Sequence, residues 1–360
     1  MGRRKYFFNP LKKLALFLLL LQIFAGPALS PAVAAQEAPQ RQSQLFLPMM
    51  TATAKSVILG VYTRSYLGES STIANEVQAI DSWSGKRLSI VGTYIALEDP
   101  YEEYNITVPL GNIWNNGYTP FVNLDTSHSL SKINSGGLDK EIREMARAFR
   151  LWRSQGNGQD RRAFVAPLQE MNGDWVPYYG RPADFKHAFR RIQDLFDSEQ
   201  ASSAVRWVFA PNGWGAAFED YYPGDQAVEA VALSAYNAGF CPKYDWKEWE
   251  TPEQVFGPYV SRMAQMAPRK PIFVAQTATT AYTKNGYNES AKSQWLIDGY
   301  SFLAQAPNVF GIIYFNRDKE CDWAFFQKDG RKVEGYRQVV SRSDFKYVSP
   351  VELAGRTLTR

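Results

Sequence analysis

From Val57 onward, short apolar runs alternate with longer segments in which apolar residues recur every three or four positions. The runs occupy 57–63, 88–97, 118–125, 162–170, 205–212, 228–236, 270–277 and 309–316. Continuous apolar runs of this length predict strands covered on both faces, as in a parallel sheet. Between them, helices are predicted around 72–82, 105–116, 138–155, 184–199, 252–266, 289–305 and 332–342. In 138–155, Leu138, Ile142, Met145, Phe149 and Trp152 share one face of a helix. The fifth run leads instead into a long aromatic loop.

Eight such units between residues 55 and 345 fit an α/β fold of the (β/α)8 TIM-barrel type, which typically takes about 250 residues. An open doubly wound sheet would carry a Gly-rich phosphate turn after the first strand, and none is present. The ends follow a different pattern. Residues 1–35 combine a basic start, an apolar run from Leu14 to Phe24 and the small-residue stretch Ala32-Val33-Ala34-Ala35, the layout of a secretory signal peptide. The alternative for this segment is an uncleaved membrane anchor, although its apolar run is short for a span. Residues 36–54 are polar and irregular and are expected to be a linker. Residues 346–360 are expected to be a C-terminal tail.

This division changes the meaning of the charge. The chain of 360 residues has a formal net charge of +4, yet its first 35 residues hold five Lys or Arg and no Asp or Glu. The remainder is close to neutral, which leaves no basic footprint for a nucleic-acid partner. No stable membrane partner is expected after signal cleavage, and the expected location is secreted or periplasmic. There are two cysteines, Cys241 and Cys321, either paired or two buried thiols. No Cys/His spacing resembles a metal site, and no cofactor motif is present.

In a barrel of this kind, chemistry gathers at the C-terminal ends of the strands. The fourth run ends in Gln169-Glu170-Met171-Asn172-Gly173, followed by Trp175, Tyr178 and Tyr179. The fifth ends near Asn212 and Trp214, the sixth at Tyr236, the seventh at Gln276, and the eighth leads to Trp323. Glu170 is a candidate general acid. The aromatics, with Gln169, Asn172 and Asn212, have the make-up of a sugar groove: ring faces cover pyranose C–H faces and amides read hydroxyls. Further carboxylates at loop positions are Asp125, Glu219, Asp220, Asp318, Glu320 and Asp322.

The segment APLQEMNGDWVPYYG resembles the acid/base segment of glycoside hydrolase family 26, the β-mannanase family of retaining (β/α)8 glycosidases. RWVFAPNGWG, YYPGDQAVEAVALSAYN and IIYFNRDKECDW are similar to its strand-5, strand-6 and strand-8 segments, so the resemblance spans most of the chain after the leader. It implies that Glu170 is the proton donor, that Tyr236 contacts the nucleophile, and that Trp175 and Trp323 touch sugar. Two positions depart from the family pattern. Gln169 stands where the family usually has His. Gln276 stands where the family has its nucleophilic Glu, in a segment like PIFIAE.

The expectation is therefore an exported protein acting on β-linked polysaccharide or oligosaccharide, hydrolysing it with Glu170 as proton donor. The alternative is a glycan-binding relative without catalysis, because residue 276 is Gln.

Overall fold

The computed structural model describes residues 56–63, 73–98 and 104–358. Residues 1–54, with the expected signal peptide and linker, lie outside the described residues. The eight apolar runs form eight parallel strands: Ile58–Tyr62, Ile90–Ala96, Thr119–Asp125, Ala163–Pro167, Val205–Phe209, Ala230–Asn237, Ile272–Thr279 and Val309–Phe315. They close into one barrel in sequence order, with the first strand paired to the eighth.

The continuous apolar character of the strands follows from their two buried faces. Inside the barrel, Phe121, Phe164 and Phe273 pack together, with Phe164 and Phe273 ring centroids 4.9 Å apart. Outward-facing residues such as Val91, Val122, Val165 and Val274 pack on the helical layer. Gly92 is required by close approach, because a Cβ there would lie 2.2 Å from the Tyr62 ring.

Helices cover the strands much as the periodicity predicts. Asp139–Ser154 buries Ile142, Met145, Phe149 and Trp152 on one face. Pro252–Met266 starts with a capping box, in which Thr251 and Gln254 satisfy each other's backbone N–H. The fifth unit has no α-helix. Only the single turn Glu219–Tyr221 lies between the fifth and sixth strands, and aromatic side chains fill the space. The helix Pro182–Ser198, for example, meets this connection through the Phe185–Tyr221 contact.

Of the expected C-terminal tail, residues 346–358 lie on the barrel, with a short helix at Pro350–Gly355. Val348 and Leu353 are buried against the interior cluster, and Arg206 donates to the carbonyls of Ala354 and Arg356 at 2.7 Å each. These apolar positions close the barrel at the end opposite the site, a task that a strand-counting pattern does not reveal.

Cys241 and Cys321 are joined in a disulfide, with a Cα–Cα distance of 6.0 Å. The bond links the loop after the sixth strand to the loop after the eighth. No helix among the described residues is long and apolar enough to cross a membrane.

Candidate active site

The fourth strand delivers its carboxylate through a tight turn. Leu168 and Glu170 both adopt left-handed backbone angles, φ 53° and 57°, which are uncommon for residues with a side chain and are seen at constrained functional turns. The turn is held by main-chain bonds from Leu168 to Leu124 and from Glu170 to Ala210, both 2.7 Å. Glu170 then accepts one hydrogen bond on each oxygen, from Asn212 Nδ2 at 2.8 Å and from Trp175 Nε1 at 2.9 Å. Gly173 permits the second contact, since a Cβ there would fall 2.3 Å from the Trp175 indole.

The seventh strand delivers Gln276, and it does so by breaking its own register. Phe273 and Ala275 face the barrel interior while Ile272 and Val274 face the helices. Strict alternation would turn residue 276 outward. Pairing slips by one residue here on both sides: Ile313 pairs Ala275 but Tyr314 pairs Thr277, and Leu233 pairs Val274 but Ala235 pairs Thr277. Gln276 thus occupies a bulge, a device that re-aims a side chain. The strand does not end there, as its apolar run predicts, but continues to Thr279. The Ala275–Gln276 peptide bond is cis.

The Gln276 side chain is 5% exposed and bonded at both ends. Tyr236 donates its hydroxyl to Gln276 Oε1 at 2.6 Å, and Gln276 Nε2 donates to Gln169 Oε1 at 2.9 Å. Burial, with the Glu170 charge, pushes the Tyr236 hydroxyl well above the usual tyrosine range, so it remains a donor.

These groups open onto a groove of about 660 Å³. Gln169, Glu170, Trp175, Asn212, Trp214, Tyr236, Gln276 and Trp323 all line it. Asn172 does not. It is buried, accepts from the backbone N–H of Asn212 at 2.9 Å, and donates to the carbonyls of Asn212 and Ala216. Its position beside Glu170 in sequence placed it in the groove, but its amide braces the fourth- and fifth-strand loops. Tyr178 is likewise packed, donating to the Gln169 carbonyl at 2.8 Å.

The aromatic surface divides into open and enclosed rings. Trp175 and Trp246 are 49% and 64% exposed. Trp323 is only 3% exposed, with Tyr236 and Tyr244 centroids at 5.4 and 6.1 Å, so little of it is open to the groove. Trp214 lies between Tyr236, Tyr244 and Trp246 at 5.6–5.9 Å. Tyr94, Tyr244, Trp246, Arg317 and Lys319 also line the groove and were not singled out from sequence. The aromatic density of 240–249 was the available signal for two of them.

Of the additional carboxylates, only Asp125 and Glu320 line the groove. Glu219 is engaged by Arg262 at 2.6 Å, Asp318 by Arg331 at 3.0 Å, and Asp322 is buried beside Lys292. Burial pushes the Glu320 carboxyl up, but the Lys319 ammonium at 2.8 Å and other hydrogen bonds, one from Trp323, outweigh it and hold Glu320 below the usual range. Among the described residues, no group of three or more His, Cys, Asp or Glu is placed to hold a metal ion.

A parallel eight-stranded barrel with a carboxylate and an aromatic groove at its C-terminal face is the architecture of many glycoside hydrolases. Residues 60–309 match glycosyl hydrolase family 26, and the chain belongs to that family. It is 25% identical over 278 residues to Endoglucanase H of Acetivibrio thermocellus, covering 73% of this chain and 29% of the relative's length. Among solved structures, it resembles the catalytic domain of the Bacillus sp. JAMB-750 endo-β-1,4-mannanase with a TM-score of 0.63 at 13% identity. That match covers 84% of this chain and 90% of the other. It also resembles a β-mannanase from a symbiotic protist of the termite Reticulitermes speratus, complexed with gluco-manno-oligosaccharide. There the TM-score is 0.56 at 14% identity, over 84% of this chain and 91% of the other.

Proposed function

We propose that the protein is an exported, β-glycan-recognising member of family 26, with Glu170 in the proton donor's place and Gln276 in the nucleophile's. One observation carries this reading: Gln276 is engaged at both ends of its neutral amide, by Tyr236 and Gln169, inside a groove otherwise equipped for sugar. A retaining glycosidase needs two carboxyl groups about 5–5.5 Å apart, one to donate a proton and one to attack. An amide is a poor nucleophile and offers little to an oxocarbenium-like charge. It does preserve the shape of the groove. The gluco-manno-oligosaccharide of the protist enzyme makes β-linked mannan and glucomannan the first ligands to test.

Export rests on the signal-like 1–35, with 36–54 as linker and the barrel from 55 onward. The destination is the exterior or the periplasm, and retention at a membrane by an uncleaved leader is the other outcome.

A second reading is favoured by Asp125 and Glu320, which line the same groove as Glu170. In an inverting hydrolysis, Glu170 gives its proton to the leaving oxygen while a carboxylate about 6.5–9.5 Å away activates water.

Calorimetry and product release on mannan, mixed-linkage β-glucan and β-1,3-xylan distinguish the two. Binding without products supports the first reading. Products above a Glu170→Gln control establish the second. Absence of binding to every polymer would sink both.

A further inference from the structure

The groove wall after the eighth strand is irregular chain, yet it carries Glu320 and Trp323 and is fixed from beneath by one side chain. Lys292, in the first turn of the helix Glu289–Gln305, is fully buried. Its ammonium donates to three successive carbonyls, those of Asp322, Trp323 at 3.2 Å and Ala324 at 3.0 Å. It also lies 3.5 Å from the Asp322 carboxylate. That carboxylate in turn accepts from the Thr280 hydroxyl and from Ala281 N at 3.1 Å, just beyond the strand that carries Gln276. Three carbonyls converging on one point need a centre with three donors, which among side chains an ammonium supplies most compactly. The other charged groups acting on Lys292 are Arg331 and Asp318, which pair with each other at 3.0 Å. Tyr314 adds a hydroxyl bond to the Trp323 carbonyl at 2.8 Å.

What hangs on this hub is the ligand-facing surface. Trp323 bonds Glu320 and packs on Tyr236, the partner of Gln276. Cys321, next to Asp322, is tied to Cys241, whose loop carries Tyr244 and Trp246. We propose that Lys292 is a positioning residue for sugar recognition: by gathering the 322–324 carbonyls it sets where Glu320 and Trp323 meet the ligand, and the disulfide extends that order to Tyr244 and Trp246. The proposal rests on the β-glycan reading of the groove for its ligand, but its structural half can be tested without one.

The experiment compares the protein with Lys292→Met, and with reduced protein, by calorimetry with mannohexaose and by hydrogen exchange. Lys292→Met is expected to bind about tenfold more weakly. Exchange should rise selectively in 317–326 and 240–247, while 163–176, which carries Glu170, stays protected. Unchanged affinity, or exchange that rises evenly over the barrel, would overturn the proposal. Should Lys292→Met fail to fold, the reduced protein gives the decisive reading: a rise in 240–247 with 322–324 still protected supports the proposal, and a rise in 322–324 equal to that in 240–247 overturns it. Should the parent protein bind neither mannohexaose nor any other glycan, the glycan reading fails, and the exchange pattern alone decides whether Lys292 orders this wall.

Discussion

Gln276 Nε2 donates to Gln169 Oε1 across 2.9 Å, joining the seventh strand to the turn after the fourth through two neutral amides. These are the two positions that the resemblance in sequence marks as expected departures from the family pattern, and they are each other's partners. An amide at 276 presents a donor that a carboxylate lacks, and Gln169 answers it with an acceptor. The site is therefore self-consistent as a neutral network.

Gln276→Glu tests that network directly. A carboxylate at 276 keeps the bond from Tyr236 and requires Gln169 to turn its amide and donate. If Glu170 and the groove are otherwise competent, product release from mannan or mixed-linkage β-glucan should rise by at least about 10²-fold over the parent protein, since essential catalytic groups contribute factors on the order of 10⁴ or more. A reducing-end assay with Glu170→Gln/Gln276→Glu as control measures it. No gain would mean that the groove has diverged beyond this one residue.

Asn172→Ala removes one accepted and two donated hydrogen bonds from a buried brace. Leaving their partners unsatisfied should cost about 2–4 kcal/mol, seen as a lower urea midpoint. Glycan affinity should also fall, because Asn212 holds Glu170 at 2.8 Å. A variant of parental stability would contradict the bracing role.

The buried Lys292 gives a pH dependence with a definite sign. Burial pushes its ammonium down to about 8, from an ordinary lysine value of 10.5, despite the Asp322 charge. Between these values the unfolded chain binds the additional proton, so stability rises with pH, by at most about 1.4 kcal/mol per unit for one proton. Above about pH 10 the trend reverses, because the hydroxyls of Tyr62, Tyr314 and Tyr336 are pushed up by burial and ionise only on unfolding. Urea unfolding from pH 7.5 to 9.5 should show a steeper rise for the parent protein than for Lys292→Met. Parallel curves would remove Lys292 as the source.

Cys241 and Cys321 close a loop with a sequence separation of 80. In the chain-entropy account, a loop of this length is worth about 4.5 kcal/mol through the unfolded state. Reduction, or Cys241→Ser with Cys321→Ser, should lower the melting temperature accordingly. A negligible change would show that the unfolded chain is already ordered around this link.

The barrel was legible because its strands are buried on both faces, and a run as short and apolar as Ile272-Phe273-Val274-Ala275 fits a doubly covered strand better than an amphipathic helix. Most of the groove was legible too, since barrel chemistry collects at strand ends. Asn172 was misplaced because adjacency to Glu170 does not say which way a turn with left-handed residues sends each side chain. The closure by Val348 and Leu353 was missed because the scattered apolar residues of 346–358 show no period. Lys292 was invisible for a related reason: a lysine in the first turn of a helix ordinarily reads as solvated surface, and only the loop folded over it buries it.

The slip in the seventh strand separates the identity of residue 276 from the pairing of the barrel. Neither neighbouring strand has a register partner at Gln276, so strand order and alternation are carried by the residues around it. An exchange between amide and carboxylate at this position alters charge and hydrogen-bond polarity but leaves the ladder as it was. In evolutionary terms the position is a replaceable part: a lineage can exchange the side chain there without having to refold the scaffold that holds it.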